Sequence, residues 1–145
     1  MTASSYIDTS ALAKWYLNEA RSDDFEAFIQ QQRSAAISRL TVLEFRCLLA
    51  RRRRSRDISG QMENRVFATF ENDIRNGFLT VYALEDGHAL AAIEILAHLK
   101  THPLRSLDAL HLAIVRNLGM SKIATADRML ADAANALGIA TVRFD

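Results

Sequence analysis

Cysteine and proline each occur once in the 145 residues, and glycine only five times. A lone Cys47 closes no internal disulfide and builds no thiolate metal cluster by itself, which excludes a disulfide scaffold and a zinc–thiolate domain. Cys47 falls in an apolar stretch, LEFRCLLA, and reads as a buried, inert thiol. With Pro103 the only proline and no Ser-rich run, no linker divides the chain, and one domain over 1–145 is expected. Long hydrophobic runs are missing too. The most apolar segment, 89–99, is broken by Glu94 and His98 and is too short to span a bilayer. The opening MTASSYIDTS has no basic region leading into an apolar stretch, so no secretory leader is expected, and a single thiol fits the cytoplasm. A charge excess of either sign is absent as well. Eighteen Lys and Arg against 17 Asp and Glu give a net charge of +1, which provides no global field for coating nucleic acid. The charge is locally uneven: Arg51, Arg52, Arg53, Arg54 and Arg56 form one dense basic cluster.

What remains is an ordinary globular composition, 50% hydrophobic and 24% charged. Short strand-like segments alternate with longer segments of helical spacing. Strands are predicted at 5–8, 35–38, 79–83, 122–125 and 140–144. Helices are predicted at 10–20, 22–32, 40–53, 57–76, 86–100, 106–118 and 127–137. In the 57–76 helix Met62, Val66, Phe70 and Ile74 share one stripe, and Gly77, Gly119 and Gly138 stand where helices end. This alternation implies βαβ units: an α/β/α sandwich around a central, mostly parallel sheet. Such sheets bind ligands beyond the carboxyl ends of their strands.

Several acids fall at that edge. Asp8 ends the first strand and Asp127 follows the fourth. Asp108 opens LDALHLAIVRNL, a helix apolar nearly all round and therefore buried. Glu44 lies within LTVLEFRCLLA, flanked by apolar residues. Each has an ordinary explanation: Asp8, Asp108 and Asp127 as helix N-caps, Glu44 as the partner of a nearby arginine. Taken together, four acids in apolar settings repel one another unless a cation joins them. Oxygen ligands without a Cys or His pattern point to Mg2+ or Mn2+ and away from Zn2+.

At these positions the sequence resembles a known family. YIDTSALAKWYLNE is similar to the opening of PIN domains, and SRLTVLEF to the motif that supplies their glutamate. LRSLDALHLAIVRNLG resembles their third motif, and IATADRMLADAANALGI their fourth, a Thr-x-Asp before the last helix. The four occur in order from Asp8 to Ile139. The small size and LDALHLA resemble the VapC toxins of bacterial toxin–antitoxin pairs. The resemblance implies a PIN-like fold and hydrolysis of RNA phosphodiester bonds with Mg2+, or Mn2+, as cofactor. It implies an acidic centre of Asp8, Glu44, Asp108 and Asp127, with Asp8 and Asp108 on the metal and Asp127 completing the site or holding a metal-bound water. Glu44 then reaches the metal through water or orients the attacking water. It further implies an antitoxin that covers the site, with an Arg or Lys drawn into the acidic pocket, and a homodimer whose interface draws on apolar and aromatic residues of the early helices.

Other polar residues keep two readings. Thr9, Ser10 and Thr125 bind a phosphate or a carboxylate, or cap helices. His111, three positions after Asp108, is catalytic or a hydrogen-bonded core histidine. His88, His98 and His102 read as surface or capping residues. The basic cluster grips RNA or is a solvated helix end, and Arg105 and Arg128 are alternative phosphate contacts. Trp15 and Tyr16 read as packing or partner contacts. A haloacid-dehalogenase phosphatase needs an acid two positions after Asp8, where Ser10 stands, and a response-regulator receiver needs one after the third strand, where LTVYAL has none. A non-catalytic PIN-like binding module and a housekeeping RNA-processing nuclease remain as alternatives.

Overall fold

In the computed structural model, which describes residues 5–145, every predicted strand segment joins one five-stranded, wholly parallel sheet. The strands are β1 (Tyr6–Ile7), β2 (Ala35–Ser38), β3 (Leu79–Tyr82), β4 (Lys122–Thr125) and β5 (Ala140–Arg143), in the spatial order β3-β2-β1-β4-β5. The chain therefore starts in the middle of the sheet and builds outward in both directions. Tyr6 pairs with Ala36 on one side and Ile123 on the other. Among the described residues seven helices make the connections: α1 (Thr9–Tyr16), α2 (Ser22–Gln30), α3 (Arg39–Arg54), α4 (Gly60–Arg75), α5 (Asp86–His98), α6 (Ser106–Asn117) and α7 (Arg128–Ala136). None is long and apolar enough to cross a membrane. The first four residues, on which part of the expectation about a leader rests, lie outside the described residues.

Alternation along each strand assigns the two faces. Ile7, Ala35, Ile37 and Ala124 point into a core closed by α1, α2, α3 and α4. Their neighbours Tyr6, Ala36 and Ile123 point the other way, under α5, α6 and α7. That is the three-layer α/β/α arrangement expected from the sequence. On the first side Tyr16, Phe45 and Phe70 form an aromatic knot, with ring centroids 5.4, 5.6 and 4.9 Å apart, and bind α1, α3 and α4 together. The Tyr16 hydroxyl donates to Asp73, and this partly buried ring packs against the core.

The sequence expectations need correction at several points. The first helix stops at Tyr16 because the chain turns there: Ser22 Oγ accepts from the Glu19 N–H and donates to the Leu17 carbonyl, and Arg21 takes a left-handed φ of 69°. The fourth helix begins at Gly60, where Ser59 Oγ caps the Met62 N–H. Its buried face carries Glu63, not Met62, because Arg53 reaches across from α3 to Glu63 Oε1 at 2.6 Å. Cys47 is exposed. The buried face of α3 is Leu40, Thr41, Phe45 and Leu49, and Cys47 shares the opposite side with Leu43. An apolar run that continues around a helix does not reveal which face is covered.

Candidate active site

The parallel sheet changes direction of growth at β1, and crevices of this kind open beyond the carboxyl ends of the strands. Asp8 is the residue immediately beyond β1. Its backbone carbonyl receives the first hydrogen bonds of α1, from the Ala11 and Leu12 N–H groups, but its side chain caps nothing. Asp8 Oδ2 accepts instead from Ser10 Oγ at 2.5 Å and Thr125 Oγ1 at 2.8 Å. These hydroxyls are themselves fixed, Ser10 Oγ by the Ala126 N–H and Thr125 Oγ1 by the Asp127 N–H. The ends of β1 and β4 are thus laced together by a carboxylate held between two neutral donors, at a position only 6% exposed.

The other three acids reach the same place from three helices. Glu44, half-buried in the middle of α3, accepts at Oε1 from Thr9 Oγ1 at 2.7 Å and lies 2.5 Å from His111 Nε2. Among the described residues its partner within ion-pair distance is His111 and no arginine, contrary to its alternative reading. Asp108 stands in the first turn of α6 and accepts from the Arg105 N–H at 3.3 Å, so it reaches back over the helix start without being its N-cap. Asp127 is a true N-cap: its Oδ1 accepts from the Met129 and Leu130 N–H groups of α7. Asp8, Glu44, Asp108 and Asp127 line one cavity of about 580 Å³, with Thr9, Ser10 and the α3 side chains Leu43, Cys47 and Arg51 in its walls. Asp8, Glu44 and His111 also bring one potential ligand atom each within 4.8 Å of one another.

The electrostatics follow from this crowding. Burial pushes the Asp108 carboxyl above the ordinary aspartate range; the Arg105 N–H opposes it, and the charges of Asp127 and Asp8 reinforce it. Burial also acts to raise Glu44, but the hydrogen bond and charge of His111 and the Thr9 hydroxyl outweigh it and hold this carboxyl below the usual range. Burial alone would lower His111, and its bond to Glu44 with the charges of Asp8, Glu44 and Asp108 raises it instead.

The sequence profile of the PIN domain matches residues 5–136. The chain belongs to the PIN-domain family. No curated protein matches it in sequence. Solved structures share its fold. Mycobacterium tuberculosis VapC20, described as a sarcin–ricin-loop cleaving toxin, superposes with a TM-score of 0.75 at 20% identity, covering 97% of this chain and 99% of that one. A DNA-bound VapBC from Salmonella typhimurium gives 0.69 at 18%, over 99% and 100% of the two chains. FitAcB from Neisseria gonorrhoeae gives 0.69 at 16%, over 94% and 95%.

Within this PIN domain the basic cluster divides by role. Arg52 pairs with Glu19 at 2.9 Å and Arg53 with Glu63, ties that hold α3 to its neighbours. Arg51 lines the acidic cavity, and neither it nor Arg54 makes an ion pair among the described residues. Arg105 also lines the cavity, 3.7 Å from Asp108, whereas Arg128 pairs with Asp145. Thr9 and Ser10 bind carboxylates and do not cap α1. His88 is buried, with Nδ1 accepting from the Glu85 N–H at the start of α5, so it is a capping residue but not a surface one. Leu107, counted in a buried helix from the sequence, is 44% exposed at the cavity mouth, because only the later turns of α6 are enclosed. Tyr6 carried no functional signal in the sequence; a tyrosine in a fully buried two-residue strand was the available clue.

Asp108 supplies a test of the crowding. Because its folded pKa is raised, its ionised form destabilises the metal-free fold at neutral pH, and that cost disappears as pH falls below the ordinary aspartate value of about 4. In EDTA at pH 7, Asp108→Asn is expected to melt at a higher temperature than the unaltered chain, with the gap closing toward about pH 3. An equal or lower melting temperature at pH 7 contradicts a cost of burying this charge beside Asp127 and Asp8.

Proposed function

We propose that this chain is a single-domain, divalent-metal-dependent ribonuclease of the VapC type: the cytoplasmic toxin of a toxin–antitoxin pair. The observation that carries the reading is the meeting of Asp8, Glu44, Asp108 and Asp127 on one cavity at the carboxyl edge of a PIN-domain sheet. The donor set fits a hard cation. Its oxygens are carboxylates, each anchored through one oxygen by a hydroxyl, a backbone N–H or a histidine: Asp8 Oδ2, Glu44 Oε1, Asp108 Oδ2 and Asp127 Oδ1. Asp8, Asp108 and Asp127 are assigned as the residues that hold Mg2+ or Mn2+. When bound, the ion supplies charge neutralisation at the scissile phosphate and eases deprotonation of water.

The protein's own groups account for the rest. From the α3 wall Glu44 would reach the ion through water or orient the attacking water. Ser10 and Thr125 hold Asp8 in one rotamer, so no reorganisation is needed when an anionic phosphate arrives. Arg51 and Arg105, on the rim, attract the RNA backbone into a cavity that is otherwise negative. An acidic pocket of this size also suits a basic side chain of an inhibitor. The partner is accordingly a cognate antitoxin that places an Arg or Lys among the carboxylates.

RNA cleavage is expected with Mg2+ or Mn2+ and is expected to vanish in excess EDTA and in Asp8→Asn. Expression of the chain alone is expected to arrest growth, with relief by the protein of the adjacent antitoxin gene and by Asp8→Ala. Full cleavage in EDTA overturns the mechanism. Harmless expression of an active chain overturns the toxin assignment and leaves an RNA-processing nuclease.

For a homodimer, α5 offers a more exposed apolar surface than the aromatic residues of the early helices. Trp15 and Tyr16 are partly buried against the core, whereas Leu90 and Ile93 on α5 are 60% and 61% exposed and stand one turn apart with Leu96. That apolar ridge, opposite the face that packs on α6, is the interface we assign to a second copy. Light scattering is expected to give a dimer mass for the unaltered chain and a monomer for Ile93→Glu; a dimer in both removes α5 from the interface.

A further inference from the structure

Glu44 differs from the other three acids in how it is held. Asp108 and Asp127 stand at helix starts, where backbone N–H groups are free to donate. Asp8 has two hydroxyls from residues beside it in the fold. Glu44 is in the middle of α3, where backbone donors are spent within the helix, and it carries one more rotatable bond than an aspartate. Left alone among like charges, its carboxylate would swing toward solvent. Two side-chain donors face it, Thr9 Oγ1 and His111 Nε2, and both meet Oε1.

We propose that His111 is a positioning residue for the nuclease reaction, holding Glu44 against the cavity wall through a buried hydrogen-bonded chain rooted in Tyr6, Ser38 and Thr41. The proposal rests on the reading of Glu44 as part of the active site. His111 Nδ1 lies 2.7 Å from the Tyr6 hydroxyl, which lies 2.8 Å from Ser38 Oγ and 3.3 Å from Thr41 Oγ1. Ser38 and Thr41 are locked in turn by the first turn of α3: the Thr41 N–H donates to Ser38 Oγ and the Ser38 N–H to Thr41 Oγ1. The imidazole is therefore gripped at both nitrogens. With Tyr6 donating to Nδ1, the ring carries its proton on Nε2 and presents it to Glu44.

Tyr6, Ser38, Thr41 and His111 are each no more than 1% exposed. A histidine serving the core alone would end its bonds on other buried groups, and a leucine would fill the space without the demand for polar partners. This chain ends on a carboxylate in the wall of the acidic cavity. The same Nε2 lies 3.8 Å from Asp8 Oδ1, so one nitrogen sits between two of the four acids. Three elements, β1, α3 and α6, are thereby set relative to one another through one polar thread. Outer partners of this kind usually change metal affinity or rate by about 10- to 100-fold when removed.

The test is a double-mutant cycle on His111→Leu and Glu44→Ala, with Mn2+ affinity by titration calorimetry, RNA cleavage rates, and melting curves to confirm folding. His111→Leu is expected to lower kcat and weaken Mn2+ binding by about tenfold each, with KM for RNA within about twofold. In the Glu44→Ala background the same change is expected to cost less than about twofold, because its route of action is already gone. His111→Gln, which restores a donor toward Glu44, recovers part of the loss. Tyr6→Phe, which touches no acid, shows a smaller loss in the same direction. Unchanged Mn2+ affinity and kcat in folded His111→Leu overturn the proposal, as does an equal cost in both backgrounds. If His111→Leu fails to fold, Tyr6→Phe decides: unaltered values there overturn it. An unaltered chain that binds Mn2+ but cuts no RNA removes the ribonuclease reading while the Mn2+ cycle still tests His111. One that binds no Mn2+ overturns both.

Discussion

Carboxylates that share a wall repel one another, and the arrangement around Asp8 is the fold's answer to that repulsion. Asp8 is held by Ser10 and Thr125, Glu44 by Thr9 and His111, Asp108 by the Arg105 N–H, and Asp127 by two amides of α7. Apart from the Arg105 guanidinium, 3.7 Å from Asp108, these holders are neutral. Neutral donors fix geometry without cancelling charge, so the cavity keeps a negative field that a cation or a basic side chain can satisfy. A salt bridge at each acid would have given a quieter fold and no such field. Burial pushes the Asp108 carboxyl up first, and the uncancelled charges of Asp127 and Asp8 reinforce it.

The sheet topology makes the gathering possible. Because β1 is central and its neighbours β2 and β4 run parallel to it, the segments leaving all three strands emerge at one edge. Asp8 follows β1, Asp127 follows β4, and Ser38 at the end of β2 starts the helix that carries Glu44. The aromatic knot of Tyr16, Phe45 and Phe70 presses α3 against α1, which brings Glu44 within reach of Thr9. Core packing and site geometry are therefore coupled at adjacent residues, Glu44 and Phe45. The ties made by Arg52 and Arg53 fasten the far end of the same helix, while Arg51, one position earlier, remains on the cavity side.

Much of this was legible from the sequence, because the signals involved are local. The strands 35–38 and 122–125 fall at their predicted bounds, since a short apolar run ended by Ser38 or Thr125 leaves little choice. The four acids were visible as charges in apolar surroundings, and they converge. What failed was whatever depends on which side of a helix is covered. Cys47 and Leu107 come out exposed because an apolar residue reads the same on a buried face and on an open one. The links through Tyr6, Thr125 and His111 were illegible for another reason. They join residues 32 to 117 positions apart, and no window along the chain contains both ends.

The central claim is that these carboxylates are assembled to hold a divalent cation. Anomalous scattering from crystals of the chain soaked in Mn2+ tests it most directly, since it locates the ion without reference to activity. The account predicts an anomalous peak in the cavity, about 2 Å from oxygens of Asp8 and of Asp108 or Asp127, and its loss in Asp8→Asn. A cavity without a peak at saturating Mn2+, in a protein that keeps this fold, would contradict it.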